Sequence, residues 1–176
     1  MTGLQALLHR YTGQTDLVVG TASANRGRAE LAPLIGFLVN TLPIRGDLAG
    51  DPPFTELLAR LKDATIGAYA HQDLPFGKLV DTLQVERDLS RAPLFQIALS
   101  YAEPDRSPVP GGGVDFCLTD LILGINAAKS DLTFLAEARD AGLWIECSYK
   151  TGLFDAATVE RLLSHLEVLQ IGRAHV

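Results

Sequence analysis

Seven side chains could carry covalent or proton-transfer chemistry: four histidines, two cysteines and one serine flanked by charge. The histidines are His9, His71, His165 and His175. None has a companion at helical or loop spacing, so no zinc-type donor set is predicted. Cys117 and Cys147 lie in strand-like patterns without metal-ligand spacing and read as buried thiols of a reducing compartment. Lys129-Ser130-Asp131 could be pictured as an activated nucleophile, but a turn-forming Ser-Asp at a strand entry explains it better. The chain has no glycine-rich phosphate cradle, no G-x-S-x-G elbow and no paired-carboxylate pattern. What remains is polar chemistry inside an apolar run. Asn40-Thr41 interrupts Ile35-Gly36-Phe37-Leu38-Val39 and Leu42-Pro43-Ile44-Arg45. A buried amide or hydroxyl without partners costs about 1–3 kcal/mol. Either the pair ties down a neighbouring backbone or it faces a cavity where a polar ligand ends. On the residues alone the first reading is the more economical.

The elements that must hold these residues alternate between helix and strand. Leu4, Leu7 and Leu8 mark a helix over 3–12 that Gly13 closes. Asp16–Thr21 reads as a short buried strand, and 22–30 as a polar loop containing Asn25, Arg26 and Arg28. Ile35–Arg45 reads as strand, loop and strand, buried on both faces. Asp51 is placed to cap a helix with Pro52-Pro53 in its first turn and an apolar face of Phe54, Leu57, Leu58, Leu61 and Ala68, ending near His71. Pro75-Phe76 opens a shorter helix through Leu79 and Leu83. Leu94–Tyr101 is strand-like, 102–113 a proline- and glycine-rich mobile connection, and 114–118 an alternating strand. Alternation at 132–138 and 143–149 around Asp140-Ala141-Gly142 predicts a hairpin. Asp155 then caps a helix with the face Val159, Leu162, Leu163, Leu166 and Leu169. The predicted class is α/β, an α+β mixed sheet covered by helices.

At 176 residues, 47% hydrophobic and 20% charged, the chain suits one domain or a lobe of a larger one. A formal charge of −6 is no nucleic-acid footprint. No window of about 18 apolar residues predicts a membrane span, and a cytoplasmic location is expected. Met1 runs straight into the first helix, and Ile171-Gly172-Arg173-Ala174-His175-Val176 matches one reading frame of a sequencing-library adapter. The expectation is a chain truncated at both ends, with 171–176 as an adapter-derived tail.

Three stretches are more specific: Ile35 to Arg45, then His71-Gln72-Asp73-Leu74-Pro75-Phe76, then Arg87-Asp88-Leu89-Ser90-Arg91-Ala92-Pro93-Leu94-Phe95. In this order and spacing the chain resembles the last three core motifs of the condensation domain of nonribosomal peptide synthetases. Tyr11 to Thr21, Ala24-Asn25-Arg26, Lys129-Ser130-Asp131-Leu132 and Tyr149 to Asp155 also look like that family, so the likeness covers nearly residues 4–170. Gly77 and Ala92 depart from its usual glutamate and asparagine.

The resemblance implies a chloramphenicol-acetyltransferase-like fold of two lobes, with residues 1–170 as most of the C-terminal lobe. Donor and acceptor peptidyl carrier proteins would insert 4'-phosphopantetheine arms between the lobes, and no cofactor or metal would bind directly. The family's His-His-x-x-x-Asp-Gly motif lies on the N-terminal lobe. No catalytic residue is therefore expected in this chain, and the chain alone should be inactive. Asn40, Thr41, Gly36 and Ser130 are the expected tunnel and positioning residues. Arg26 would either pair with the aspartate of that motif across the lobes or be a solvated loop arginine. His71, Asp73, Arg87, Asp88 and Arg91 are the expected structural motif residues. Two other readings are a non-catalytic docking platform for tailoring enzymes and an ester-forming acyltransferase of the same fold.

Overall fold

The leucine stripe at the N-terminus sets the first layer. In the computed structural model, which describes residues 1–85, 91–102, 130–139 and 142–171, Thr2–Thr12 forms helix α1. Its Leu4, Leu7 and Leu8 are buried. Gly13 ends it in the left-handed conformation at φ 70°, with its N–H donating to the His9 carbonyl at 2.8 Å. The following elements are β1 (Asp16–Ser23), β2 (Asn40–Asp47), α2 (Phe54–Ala70), α3 (Phe76–Leu83), β3 (Ile97–Ala102), β4 (Leu132–Arg139), β5 (Gly142–Tyr149) and α4 (Ala156–Ile171).

The sheet order is β2-β1-β3-β4-β5. The outer pairs β1–β2 and β4–β5 are antiparallel, and the central pairs β1–β3 and β3–β4 are parallel. This is the mixed sheet that the helix–strand alternation predicts. Leu17, Val19, Leu42, Ile44, Leu132 and Phe134 form one core with α1, Leu57 and Leu61 of α2, and Val159, Leu162 and Leu166 of α4. Gln5 enters this core fully buried and donates through Nε2 to the Ile44 carbonyl at 3.2 Å. It thereby gives a carbonyl of the edge strand β2 a side-chain partner. Tyr11 OH and His165 Nδ1, 2.7 Å apart, link α1 to α4. Asp155 caps α4: its Oδ1 accepts the Thr158 N–H at 2.7 Å, and that bond holds the carboxyl below the ordinary 3.8.

Three expectations change. Ile35–Val39 is not a buried strand: β2 begins at Asn40, and Ile35 and Phe37 are 105% and 85% exposed. Arg26 takes the Gly36 carbonyl of this segment, and those of Leu31 and Leu34 just before it, folding the loop away from a ladder. Asp51 does not cap α2. Pro53, at φ −53° and ψ 149°, is the N-cap, and no side chain bonds there. The residue before a proline is pushed out of the helical region, so the Pro-Pro pair delays the helix to Phe54. Asp51 instead stands at φ 48°, its carboxylate 3.8 Å from Arg10. Finally, β3 begins at Ile97 rather than Leu94. The Phe95 N–H bonds back to the Pro93 carbonyl at 2.9 Å, and Leu94 between them takes φ 69°, a tight three-residue turn. Residues 103–129, with Cys117, the 114–118 strand and Lys129, lie outside the described residues, as do Arg87, Asp88, Asp140, Ala141 and His175.

Candidate functional site

The last rung of the β1–β2 ladder opposes Ser23 to Asn40. Both side chains reach the turn between α2 and α3. Asn40 Nδ2 donates to the carbonyls of Gln72 at 2.7 Å and Leu74 at 2.8 Å. Asn40 Oδ1 accepts the Phe76 N–H at 3.2 Å. That bond satisfies one of the orphan donors at the start of α3, where Pro75 is the N-cap and offers no side-chain oxygen. Ser23 Oγ donates to Gln72 Oε1. The amide of Asn40 is thus committed to backbone, with both donor hydrogens and an acceptor lone pair used. Tying down a neighbouring backbone is what these bonds do.

The third motif joins this cluster through side chains. The Phe95 ring packs against Phe76 with centroids 5.6 Å apart. It also lies on Gly20 of β1, where a β-carbon would come within 2.2 Å of Phe95 Cε2. The segments around Asn40, Gln72–Phe76 and Phe95, remote in sequence, are therefore in contact through one amide, one hydroxyl and two rings.

Arg26 is held by its own loop rather than solvated. Its guanidinium donates to the carbonyls of Leu31 at 2.6 Å, Leu34 at 2.7 Å and Gly36 at 3.2 Å. Gly36 enters as a carbonyl acceptor in an exposed segment. Thr41 is half-buried and opposes Ala22. His71 closes α2 and is exposed, with its N–H donating to the Ala68 carbonyl at 3.2 Å. Asp73 is exposed, 3.9 Å from Arg28. Arg91 is exposed at the entry to the Phe95 turn. Ser130 is buried well away in sequence, beside Asp131, which receives Lys150 Nζ at 2.8 Å. Ser23, Gln72 and Gly20 are the members that sequence reasoning missed. The one available signal was the placing of Gln72 inside the second motif.

His9 Nδ1 donates to the Gln14 carbonyl at 2.7 Å. Among the described residues no group of three or more His, Cys, Asp or Glu is placed to hold a metal. Cys147 is half-buried in β5, and burial pushes its thiol up to about 11. Thiolate is therefore scarce at pH 8. In the native chain Cys147 is expected to alkylate with iodoacetamide at least about tenfold more slowly than in urea. Peptide mapping by mass spectrometry reads this, and equal rates would show an open thiol.

The arrangement can shape and stiffen a surface. A mixed five-stranded sheet bearing helices in this order is the chloramphenicol-acetyltransferase-like fold. The condensation-domain family model matches residues 1–170, and the chain belongs to that family. One linear gramicidin synthase protein of Brevibacillus parabrevis is 44% identical over 165 residues, covering 94% of this chain and 3% of that protein. Bacitracin synthase 1 of Bacillus licheniformis is 40% identical over 166 residues, covering 94% of this chain and 3% of that protein. The chain therefore spans only a few per cent of the length of these relatives. Among solved structures, the X-domain in its complex with OxyB from teicoplanin biosynthesis matches with TM-score 0.76 at 31% identity, over 96% of this chain and 38% of that one. A holo four-domain nonribosomal peptide synthetase bound to AMP and glycine matches with TM-score 0.82 at 23% identity, over 99% of this chain and 14% of that one.

Peptide-bond formation is the general role of the family, and synthetases of this class carry substrates on phosphopantetheine arms of carrier domains. No described helix is long and apolar enough to cross a membrane.

Proposed function

We propose that this chain is the C-terminal lobe of a peptide-bond-forming condensation domain, with residues 1–170 as the lobe and 171–176 as an adapter-derived tail. The observation that carries this reading is the contact of three ordered family motifs with one another, through Asn40, Phe76 and Phe95. In the reaction, the amine of an acceptor aminoacyl thioester attacks the carbonyl of a donor acyl or peptidyl thioester. A C–N bond forms, the C–S bond breaks, and the amine proton leaves with the help of a base on the partner lobe. This lobe contributes position. Holding amine and thioester at attack distance supplies several kcal/mol of the barrier reduction, on the order of 7 for well-oriented groups. Thr41, Gly36 and Ser130 are its tunnel-side residues. Asn40 acts on the tunnel through the backbone it fixes, and Arg26 through the loop it folds. The donor and acceptor carrier proteins deliver the substrates.

A second reading has one observation in its favour. The X-domain, at 31% identity, was solved in complex with OxyB. On that reading the chain forms half of a docking platform for a tailoring enzyme. One experiment separates the two. The parent domain, restored from the genomic sequence in frame with this chain, is given one acyl-loaded and one aminoacyl-loaded carrier protein, and the amide product is measured by mass spectrometry. Amide formation by the restored domain, abolished by replacing both histidines of a His-His-x-x-x-Asp-Gly motif, supports condensation. No amide in the presence of an intact motif sinks that reading, and so does amide formation by the 176-residue chain alone.

A further inference from the structure

The loop between β1 and β2 has both of its feet on one residue. Ser23 and Asn40, directly opposed at the end of the ladder, each bond to Gln72, the first to its side chain and the second to its carbonyl. Ser23 is only 4% exposed, so bulk water is a poor substitute for this partner. Its oxygen also accepts the Asn25 N–H at 3.2 Å. Asn25 stands at φ 51°, a left-handed conformation that asparagine tolerates, and it turns the chain into Arg26. Arg26 then gathers the carbonyls of Leu31, Leu34 and Gly36. A hairpin connection of this length needs organising contacts of its own. Here they form a continuous series from Gln72 through Ser23, Asn25 and Arg26 to the segment that carries Ile35 and Phe37 outward.

We infer that Gln72 is a positioning residue that sets the pose of loop 24–39, so that the turn after α2 and this apolar loop move as one body. The required chemistry is narrow. Gln72 Oε1 accepts the Ser23 hydroxyl hydrogen, so a glutamate carboxylate can replace it and a methionine thioether is a far weaker acceptor.

The test is backbone hydrogen exchange on this chain, read at the amides of Asn25, Leu31, Ala32 and Leu34, which have internal acceptors. Gln72→Met is expected to speed their exchange about five- to tenfold while core amides of α1 and α4 keep their rates. Gln72→Glu is expected to exchange like the unsubstituted chain. Ser23→Ala removes the same bond from the other side and also the acceptor of the Asn25 N–H, so it is expected to match Gln72→Met at Leu31, Ala32 and Leu34, and the double variant to add nothing beyond Ser23→Ala at those three amides. Unchanged loop exchange in Gln72→Met, a Glu variant as fast as the Met variant, or additive effects in the double variant would each overturn the proposal. The catalytic consequence rests on the condensation reading. In the restored domain, Gln72→Met is expected to lower kcat several-fold at constant KM for the carrier-bound substrates. Faster loop exchange with unchanged kcat would leave the positioning role standing and count against the loop's part in peptide-bond formation.

Discussion

Asn40→Ala is expected to lower the unfolding free energy of this chain by about 2–3 kcal/mol, read as a lower urea midpoint at unchanged slope. The substitution removes three hydrogen bonds at once: two to the carbonyls of Gln72 and Leu74 and one from the Phe76 N–H. Each is worth about 1 kcal/mol net, and partial access of water on the Leu74 side keeps the sum below the fully buried limit. The loss spreads beyond position 40. Without the amide, the α2–α3 turn keeps its own short-range bonds and the Ser23 bond to the Gln72 side chain, and α3 loses a partner at its N-terminus. Asn40→Asp is the sharper variant. It keeps the shape and the acceptor toward Phe76 but has no hydrogen to donate when ionised. It sets a negative charge against two carbonyl oxygens, so it is expected to be at least as destabilised as the alanine variant at neutral pH. An aspartate variant as stable as the unsubstituted chain would show that the donor bonds carry no weight. Asn40 would then return to the alternative of a residue facing a ligand.

That alternative is visible in the sequence, and so is much of the fold. Leu4, Leu7 and Leu8, and Val159, Leu162 and Leu166, announce their helices because periodic burial on one face needs no knowledge of the partner. Gly13 and Asp155 mark helix ends for equally local reasons. Ile35–Val39 misleads because hydropathy reports that a side chain avoids water, and says nothing of what covers it. Ile35, Phe37 and Val39 are apolar and exposed here, and the backbone around them is claimed by an arginine five, eight and ten positions from its three acceptors. For Arg26 itself the sequence offers an inter-lobe partner or a solvated side chain. Its bonds to three carbonyls of its own loop are a role that no charge pattern signals, because backbone acceptors are present at every residue. The parallel pairing of β1, β3 and β4 and the grip of Ser23 on Gln72 are long-range facts of the same kind. Motif order indicates that these segments belong together, and only the fold says which atoms join them.

Gly20→Ala tests the remaining join and carries the other large expected effect, about 2–4 kcal/mol of destabilisation. A β-carbon at position 20 would lie 2.2 Å from Cε2, 2.3 Å from Cζ and 2.7 Å from Cδ2 of Phe95. Either the ring or the strand must move. The ring has little freedom, because it is 8% exposed and packs against Phe76. The backbone behind it is held on both sides. The Phe95 N–H bonds to Pro93 across the φ 69° turn at Leu94, and the next carbonyl, of Gln96, accepts the Asp131 N–H at 2.9 Å. Strand β1 is held between β2 and β3 and cannot retreat without breaking a ladder. Overpacking at such a site is relieved by removing the atoms it strikes. Phe95→Leu alone is expected to cost about 1–2 kcal/mol through lost ring contacts. The pair Gly20→Ala with Phe95→Leu is expected to be about 1–3 kcal/mol more stable than the sum of the two single effects. Denaturant midpoints of the four proteins close this cycle. Strict additivity would mean that the ring does not rest on Gly20, and the third motif would lose its contact with β1. Strong coupling would make Gly20 the point through which a change in β1 reaches Phe95, then Phe76, and so the turn that Asn40 and Ser23 hold.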